Sequence, residues 1–294
     1  MERRAVKAMW GLCAVIIWIG LAGSVFGFNG DTYSDLAVGV PFEDYAGITD
    51  AGIVNLFYSD MTGLTTDGNQ YFSQDSDGIE DTCETDDQFG LTLESGDFNG
   101  DGFADLAIGI PREDVGSAGD AGAVHIIYGS AGGLANVIPS WFLTMDILDV
   151  EAVSQPYDFF GAGLAAGDFN GDGFDDLAIG SPNKEVSTFE CAGVVFVVNG
   201  SPTGLDPMEA SAWSQDTPNI DGAAEPDDTF GQALAAGDIN GDGFIDLVVG
   251  VPGEAIGWVS HAGCFHVIYG SGTGLTSSGT QIIWQGMDGL YAGT

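Results

Sequence analysis

A nine-residue acidic loop recurs in a fixed register along this 294-residue chain. The strings GDFNGDGFADLAIGIP, GDFNGDGFDDLAIGSP and GDINGDGFIDLVVGVP begin at Gly96, Gly167 and Gly237, so the copies are 71 and 70 residues apart. A degraded copy, GFNGDTYSDLAVGVP, begins at Gly27. Repetition at a fixed period is the signature of architectures in which each unit buries its apolar face against the next. We therefore divide the chain into four repeats, approximately residues 28–85, 86–156, 157–226 and 227–294.

Each repeat predicts short β-strands and no helix of useful length. In the second repeat, residues 91–96, 105–109 and 122–128 are short segments bounded by Gly, Pro or Asp, and the last is rich in Val and Ile. A fourth, outer strand is expected near Trp141, Trp213 and Trp284. Four antiparallel strands with an apolar second strand are typical of a blade covered on both faces by its neighbours. The predicted fold is an all-β propeller of about four blades, the first incomplete at its N-terminus, with a stacked solenoid as the alternative.

The acidic loop carries oxygen donors at alternate positions. Side chains at positions 1, 3, 5 and 9 and the carbonyl at position 7 can converge on a hard cation, while Gly100 and Gly102 permit the tight turn. Oxygen-only donors favour calcium over zinc, and a flexible, carboxylate-rich loop favours calcium over magnesium. About three calcium sites are predicted. Their residues are Asp97, Asn99, Asp101, Phe103 and Asp105; Asp168, Asn170, Asp172, Phe174 and Asp176; Asp238, Asn240, Asp242, Phe244 and Asp246.

The loop also resembles an EF-hand and an ordinary hairpin turn. An EF-hand does not fit, because position 12 is Ile108, Ile179 or Val249 instead of a bidentate Glu. An ordinary hairpin turn, in which Asn and Asp bond their own backbone, would explain one copy but explains three matching copies less well. In the first repeat Gly27 replaces the position-1 Asp. That site keeps only Asn29, Asp31 and Asp35 and is expected to be weak or empty.

The N-terminal segment 1–27 predicts a signal peptide. Basic residues precede an apolar run that ends in small residues, and cleavage is expected after Ser24 to Gly27. An uncleaved membrane anchor is the alternative, since Met9 to Phe28 has about the length of a spanning helix. Either way the remainder is expected to be secreted or at the cell surface. No second apolar run of spanning length follows, so the body of the chain is not expected to be membrane-embedded.

Charge excludes some partners. The segment 1–27 holds three of the five basic residues and one of the 44 acids, which leaves 43 acidic residues against Arg112 and Lys184. So negative a chain repels nucleic acid and anionic membranes. Most carboxylates are expected to be a solvated coat. The loop DSDGIEDTCETDD at residues 75–87 is interpreted in the same way, with a further cation site as the alternative.

Further motifs resemble a known family. Phe89-Gly90, Phe160-Gly161 and Phe230-Gly231 each precede a Gly-x-Pro by about twenty residues, at Gly109, Gly180 and Gly250. These pairs resemble FG-GAP repeats, the units of the integrin α-chain propeller. The resemblance implies an extracellular propeller whose calcium loops join the first two strands of a blade, while the opposite face can bind ligands. The chain departs from the seven blades of that family, because it holds about four repeats.

Catalysis finds little support in the sequence. The histidines His125, His261 and His266 form no HExxH spacing, and His125 and His266 are expected to be packed or rim residues. No GxSxG elbow occurs. The predicted function is a non-catalytic adhesion or ligand-binding module with structural calcium, whose partner is an unidentified extracellular protein or glycan. The alternative is a secreted carbohydrate-active hydrolase or a lectin-like binder that uses one propeller face.

Two predictions concern the ends and the thiols. The segment GLYAGT at 289–294 resembles GLAAGD at 163–168, so it is a candidate to supply the missing first strand of the first blade, with chance similarity as the alternative. Cys13 lies in the predicted signal, which leaves Cys83, Cys191 and Cys264. They allow at most one intramolecular disulfide, and no metal role is expected for them.

Overall fold

The computed structural model describes residues 15–18, 27–134 and 140–287. These residues form an all-β structure with one 3-10 turn at Met145–Ile147. The strands are β1 (Val15–Trp18), β2 (Leu36–Val40), β3 (Ile53–Phe57), β4 (Ser59–Asp60), β5 (Gly63–Leu64), β6 (Gln70–Phe72), β7 (Thr92–Gly96), β8 (Asp105–Ile110), β9 (Ala123–Ile127), β10 (Trp141–Leu143), β11 (Gly163–Gly167), β12 (Asp176–Ser181), β13 (Val194–Asn199), β14 (Asp206–Trp213), β15 (Ala233–Gly237), β16 (Asp246–Val251), β17 (Cys264–Tyr269) and β18 (Thr276–Trp284).

The strands build four antiparallel four-stranded blades. Their orders are β1-β2-β3-β6, β7-β8-β9-β10, β11-β12-β13-β14 and β15-β16-β17-β18, while β4 and β5 form a small hairpin. Each blade is a meander, so consecutive strands are neighbours and the turns alternate between its two ends. The predicted outer strands at Trp141, Trp213 and Trp284 are confirmed as β10, β14 and β18. The prediction of propeller blades is also confirmed.

The core lies between the blades. Every residue of β8 and β12 is buried, which explains their nearly continuous apolar sequences. The phenylalanines of the Phe-Gly pairs, Phe89, Phe160 and Phe230, are fully buried in the three clusters that join successive blades. First strands of neighbouring blades pack side by side, β1 on β7, β7 on β11 and β11 on β15. This is the arrangement of strands around a propeller axis.

Glycine is required where one blade meets the next. A Cβ on Gly180 would lie 2.0 Å from the carbonyl oxygen of Gly231 in the following blade. The N–H of Gly231 meanwhile donates to the carbonyl of Gly250 in its own blade (3.0 Å). The Phe-Gly pair and the Gly-x-Pro segment are therefore in direct contact across the blade boundary, which accounts for both motifs.

The first blade differs from expectation. Its first strand is β1, from within the predicted signal peptide, and Val15 to Trp18 pair antiparallel with Gly39 to Leu36 of β2. Cleavage after residues 24–27 would remove this strand. The alternative candidate, the segment 289–294, lies outside the described residues. Either segment, 15–18 or 289–294, would have to pair with β2 in order to be the first strand of this blade.

Candidate functional site

The three predicted loops occupy equivalent places in blades 2, 3 and 4. Each connects the first strand to the second, so that position 9, Asp105, Asp176 or Asp246, is the first residue of β8, β12 or β16. The two glycines of the first loop, Gly100 and Gly102, have φ values of 70° and 90°. Side chains are strained at such angles, so glycine permits the tight turn.

The side chains at positions 1, 3 and 5 fold inward onto their own backbone. Asp97 Oδ1 accepts from the N–H of Asp101 (3.0 Å) and Asp97 Oδ2 from that of Gly102 (2.9 Å). Asn99 Oδ1 accepts from Asp101 (2.9 Å), and Asp101 Oδ1 accepts from the N–H of Phe103 (3.0 Å). The other two loops repeat this pattern. In the first loop, oxygen atoms of three side chains therefore all bond the backbone of residues 101–103, as Asn and Asp side chains do in turns.

The position-9 carboxylate is fully buried and joins the loop to the third strand. Asp105 Oδ2 accepts from the N–H of Phe98 (3.0 Å) and Oδ1 from that of Gly129 (2.8 Å). Burial, followed by the charges of Asp101 and Asp97, raises the pKa of Asp105 to about 8. Asp176 and Asp246 make the same two contacts. A buried carboxylate beside like charges favours either a proton or a nearby cation.

The donor set fits a hard cation better than a soft one. It consists of carboxylate and amide oxygens, with no Cys or His in the loops. Across the described ranges no three His, Cys, Asp or Glu side chains converge closely enough to hold a metal unaided. A complete shell must therefore include donors of other kinds, and the loop offers Asn99 and the carbonyl of Phe103. Positions 1, 3, 5, 7 and 9 remain the predicted ligands.

Adjacent loops contact one another, which the sequence analysis did not foresee. A Cβ on Gly100 would lie 2.5 Å from the ring of Phe174, so the position-7 aromatic of one loop packs on the position-4 glycine of the loop before it. Asp175 Oδ2 also accepts from the N–H of Asp97 (2.8 Å), across the same boundary. The signal for this contact in the sequence is the Phe at position 7 of all three loops. The loops thus form a row that bridges the blades.

The degraded loop keeps the fold of the others without the first carboxylate. Asn29 Oδ1 accepts from the N–H of Asp31 (2.9 Å), and Asp35 Oδ1 accepts from that of Ser59 (3.0 Å). Gly27 stands at position 1, where a Cβ would lie 2.6 Å from Asp35 Oδ2. That oxygen is buried and has no hydrogen-bond partner. This loop therefore offers fewer donors.

Two of the three histidines pack within the blades, whereas His261 is exposed. His125 and His266 are fully buried in third strands, as expected, and burial lowers the pKa of each to about 4. His125 lies against Phe142, with ring centroids 4.8 Å apart. Cys83, Cys191 and Cys264 are all free thiols. None of these side chains joins the acidic loops.

The fold and the loops together define a class, a propeller-type array of blades with an acidic hairpin loop at one end of each blade. The FG-GAP repeat model matches residues 28–56, 89–127, 160–187 and 230–263. The chain is therefore an FG-GAP repeat protein, and the resemblance noted in the sequence is confirmed. Across the described residues, no helix is long and apolar enough to span a membrane.

Several known proteins are similar to this chain. Integrin alpha-PS2 of Drosophila melanogaster is 30% identical over 229 residues, 75% of this chain and 14% of the relative. Phosphatidylinositol-glycan-specific phospholipase D of Bos taurus is 34% identical over 173 residues, 56% of this chain and 19% of the relative. The solved exotype rhamnogalacturonan lyase YesX gives a TM-score of 0.44 at 14% identity, covering 85% of this chain and 39% of that structure. This chain therefore spans less than a fifth of the length of the two relatives compared by sequence.

Proposed function

We propose that this chain is an extracellular calcium-binding FG-GAP propeller module that binds a protein or glycan ligand without catalysing a reaction. The observation that carries the proposal is the shared geometry of the three loops, each with carboxylates at positions 1, 5 and 9 and a contact to its neighbour. Calcium in these loops would join hairpins that already touch across blade boundaries. Its role would be to hold the blades in one arrangement.

Calcium dependence is tested by thermal unfolding with calcium and with chelator. A cation bound only to the native state at one hundred times its dissociation constant adds about 2.7 kcal/mol per site. Asp101→Asn, Asp172→Asn and Asp242→Asn change position 5, and Asn can keep the hydrogen bond to the backbone. Each should remove an equal part of the calcium-induced rise in melting temperature, because each weakens one of three equivalent sites.

The degraded loop supplies a matched control, because Asp31→Asn changes position 5 of a loop that lacks the position-1 carboxylate. It should leave the calcium response unchanged. An equal melting temperature with calcium and with chelator at low ionic strength contradicts the assignment. So does a loss in Asp31→Asn as large as in the other three variants.

Ligand binding is proposed at the blade ends opposite the acidic loops. Trp258 is fully exposed there, in the turn between β16 and β17. Exposed tryptophans are favourable anchors for protein and glycan ligands because one ring offers a large apolar face and an N–H donor. A glycan array and a screen of extracellular proteins, with Trp258→Ala as the comparison, test this location. A ligand bound equally by both proteins places the surface elsewhere.

A hydrolytic or carbohydrate-binding function is the second candidate. The similarity to the phospholipase D over 56% of this chain favours it, although the compared region is only 19% of that protein. A panel of polysaccharide, glycolipid and phosphodiester substrates separates the two candidates. Turnover of any of them by the purified chain overturns the non-catalytic proposal, and binding to a glycan without turnover supports a lectin-like module.

A further inference from the structure

A second set of buried acidic residues lies at the blade ends opposite the acidic loops. In a four-stranded meander the turn after the second strand and the connection to the next blade share one end, while the acidic loop occupies the other. Gln74 lies on the connection from blade 1 to blade 2, close after β6, and Asp87 lies before β7. Glu113 follows β8. We name these three residues the first corner.

The first corner is buried, and no basic residue of the described part of the chain pairs with it. The exposed fractions of Gln74, Asp87 and Glu113 are 0%, 2% and 1%. Gln74 Nε2 donates to Glu113 Oε2 (2.5 Å), while Gln74 Oε1 is buried without any hydrogen-bond partner. Burial raises the pKa of Glu113 to about 10, and the nearby exposed Asp81 and buried Asp87 contribute to this rise. The one ion pair among the described residues lies in another blade.

The same arrangement returns two repeats later. Gln215 Nε2 donates to Glu254 Oε2 (2.5 Å), Gln215 Oε1 has no partner, and Asp228 lies beside Glu254. We name Gln215, Asp228 and Glu254 the second corner. The loop backbones also agree, since the N–H of Glu84 donates to Asp87 Oδ2 (2.5 Å) and that of Glu225 to Asp228 Oδ2 (2.6 Å). Two equivalent sites therefore each carry an unsatisfied buried amide oxygen.

The intervening blade shows what fills this position. There Lys184 stands in the register of Glu113 and Glu254, and Met145 in that of the glutamines. Lys184 Nζ donates to Asp158 Oδ2 (3.0 Å) and to the carbonyl of Val153 (2.6 Å). The loop keeps its usual hydrogen bond, from the N–H of Gln155 to Asp158 Oδ2 (2.8 Å). In blade 3 a cationic nitrogen therefore occupies the position that corresponds to the two corners.

A divalent cation in each of the two corners would give all three positions the same charge sum. One ammonium neutralises one carboxylate at Lys184 and Asp158. Each corner has two buried carboxylates and no ammonium, so one divalent cation would give the same neutral sum. Burial of uncompensated charge is strongly unfavourable. Where blade 3 has Met145 and Lys184, each corner has Gln and Glu. Each corner therefore has two more side chains that can offer oxygen atoms to a cation.

We propose that the two corners are cation sites of their own, each binding one divalent cation of the calcium class. In the first corner the ligands are the carboxylates of Asp87 and Glu113, Gln74 Oε1 and the carbonyl of Thr82, which stands in the register of Val153. In the second they are the carboxylates of Asp228 and Glu254, Gln215 Oε1 and the carbonyl of Ala223. Such all-oxygen donor sets suit calcium. The fixed ammonium of Lys184 replaces the metal in the blade between.

Calcium counting on the full chain tests the proposal. Equilibrium dialysis with calcium alone should show one equivalent fewer for Glu113→Gln, one fewer for Glu254→Gln and two fewer for the double variant. The reciprocal pair Met145→Gln with Lys184→Glu should gain one equivalent. These changes are measured relative to the unaltered chain, so they do not depend on how many acidic loops bind calcium. Asp101→Asn reports separately on the loops.

Two outcomes overturn the inference. Folded Glu113→Gln and Glu254→Gln variants that bind as much calcium as the unaltered chain would show that each corner shares a proton instead. If neither variant folds, anomalous scattering from crystals of the unaltered chain grown with calcium decides the question. A peak between Asp87 and Glu113 supports the site, and its absence at both corners refutes it.

Discussion

Replacement of Gly180 by Ala should destabilise the contact between blades 3 and 4. Gly180 lies in β12 opposite Gly163, and its Cα faces the Phe-Gly pair of the next blade. The new Cβ would lie 2.0 Å from the carbonyl oxygen of Gly231 and 3.0 Å from its carbonyl carbon. Both are backbone atoms, so no side chain can rotate away. The two blades must separate, or β12 must shift.

The expected cost follows from this overlap. Excess volume in a packed core costs about 1–3 kcal/mol. A backbone atom has to move by more than an ångström, which places Gly180→Ala at the upper end of that range. Gly250→Ala is the matched control, because Gly250 has the same register in β16 but its Cβ would meet the carbonyl oxygen of Ala233 at 3.2 Å, an overlap that a shift of a few tenths of an ångström relieves. Ala also lowers the conformational entropy of the unfolded chain, which stabilises the folded protein by about 0.4–1 kcal/mol and offsets the strain at Gly250.

Thermal and urea unfolding followed by far-ultraviolet circular dichroism measure the difference. At about 2–4 °C per kcal/mol, Gly180→Ala should melt about 4–12 °C below the unaltered chain. Gly250→Ala should stay within about 2 °C of it. Equal shifts in the two variants would refute the reasoning, because they would show that Gly231 does not approach Gly180 closely in solution. An unaltered urea midpoint for Gly180→Ala would refute it as well.

Two further predictions concern buried charge. Lys184→Met should cost about 3–5 kcal/mol in urea unfolding, because Asp158 then remains buried without its partner, and adding Asp158→Asn should recover most of this loss; a double variant no more stable than the single one contradicts it. Burial lowers the pKa of His125 in the folded protein to about 4, against a usual value near 6.5. Between these two pH values the unfolded chain binds the proton more readily, so the free energy of unfolding is highest above pH 6.5 and decreases as the pH falls toward 4. Between pH 7 and pH 5 the unaltered chain should lose about 2 kcal/mol more than His125→Leu, and equal losses exclude this linkage.

The sequence predicted those parts of the fold that depend on local pattern and repetition. Four copies of one motif define four blades, and the tryptophans at residues 141, 213 and 284 mark the outer strands because they recur 72 and 71 residues apart, close to the repeat period. The acidic loop was placed correctly between the first two strands, since a nine-residue loop bounded by strands leaves few alternatives. These inferences need no knowledge of contacts between repeats.

Features that depend on contacts between blades could not be predicted in the same way. The packing of Phe174 on Gly100 joins residues 74 positions apart, and nothing local distinguishes that ring from any other. Pairing of Val15–Trp18 with β2 competes with a signal-peptide interpretation of the same residues, which local hydrophobicity cannot separate. The corners were invisible for a related reason. Gln74 and Glu113 are 39 residues apart, and their acidic surroundings resemble a solvated loop.

Charge balance links both ends of each blade to one physical requirement. After residue 27 the chain has only two basic residues, Arg112 and Lys184, and Lys184 is committed to Asp158. Arg112 lies over the ring of Phe159 (5.9 Å), and within residues 27–134 and 140–287 the ion pair of Lys184 and Asp158 stands alone, so the other buried carboxylates of these ranges have no cationic side chain to neutralise them. Protons or bound cations must do this instead, because burial of uncompensated charge is costly. At neutral pH a supply of divalent cations would therefore act on the acidic loops and the corners together, and stability should depend on cation valence more than on total ionic strength.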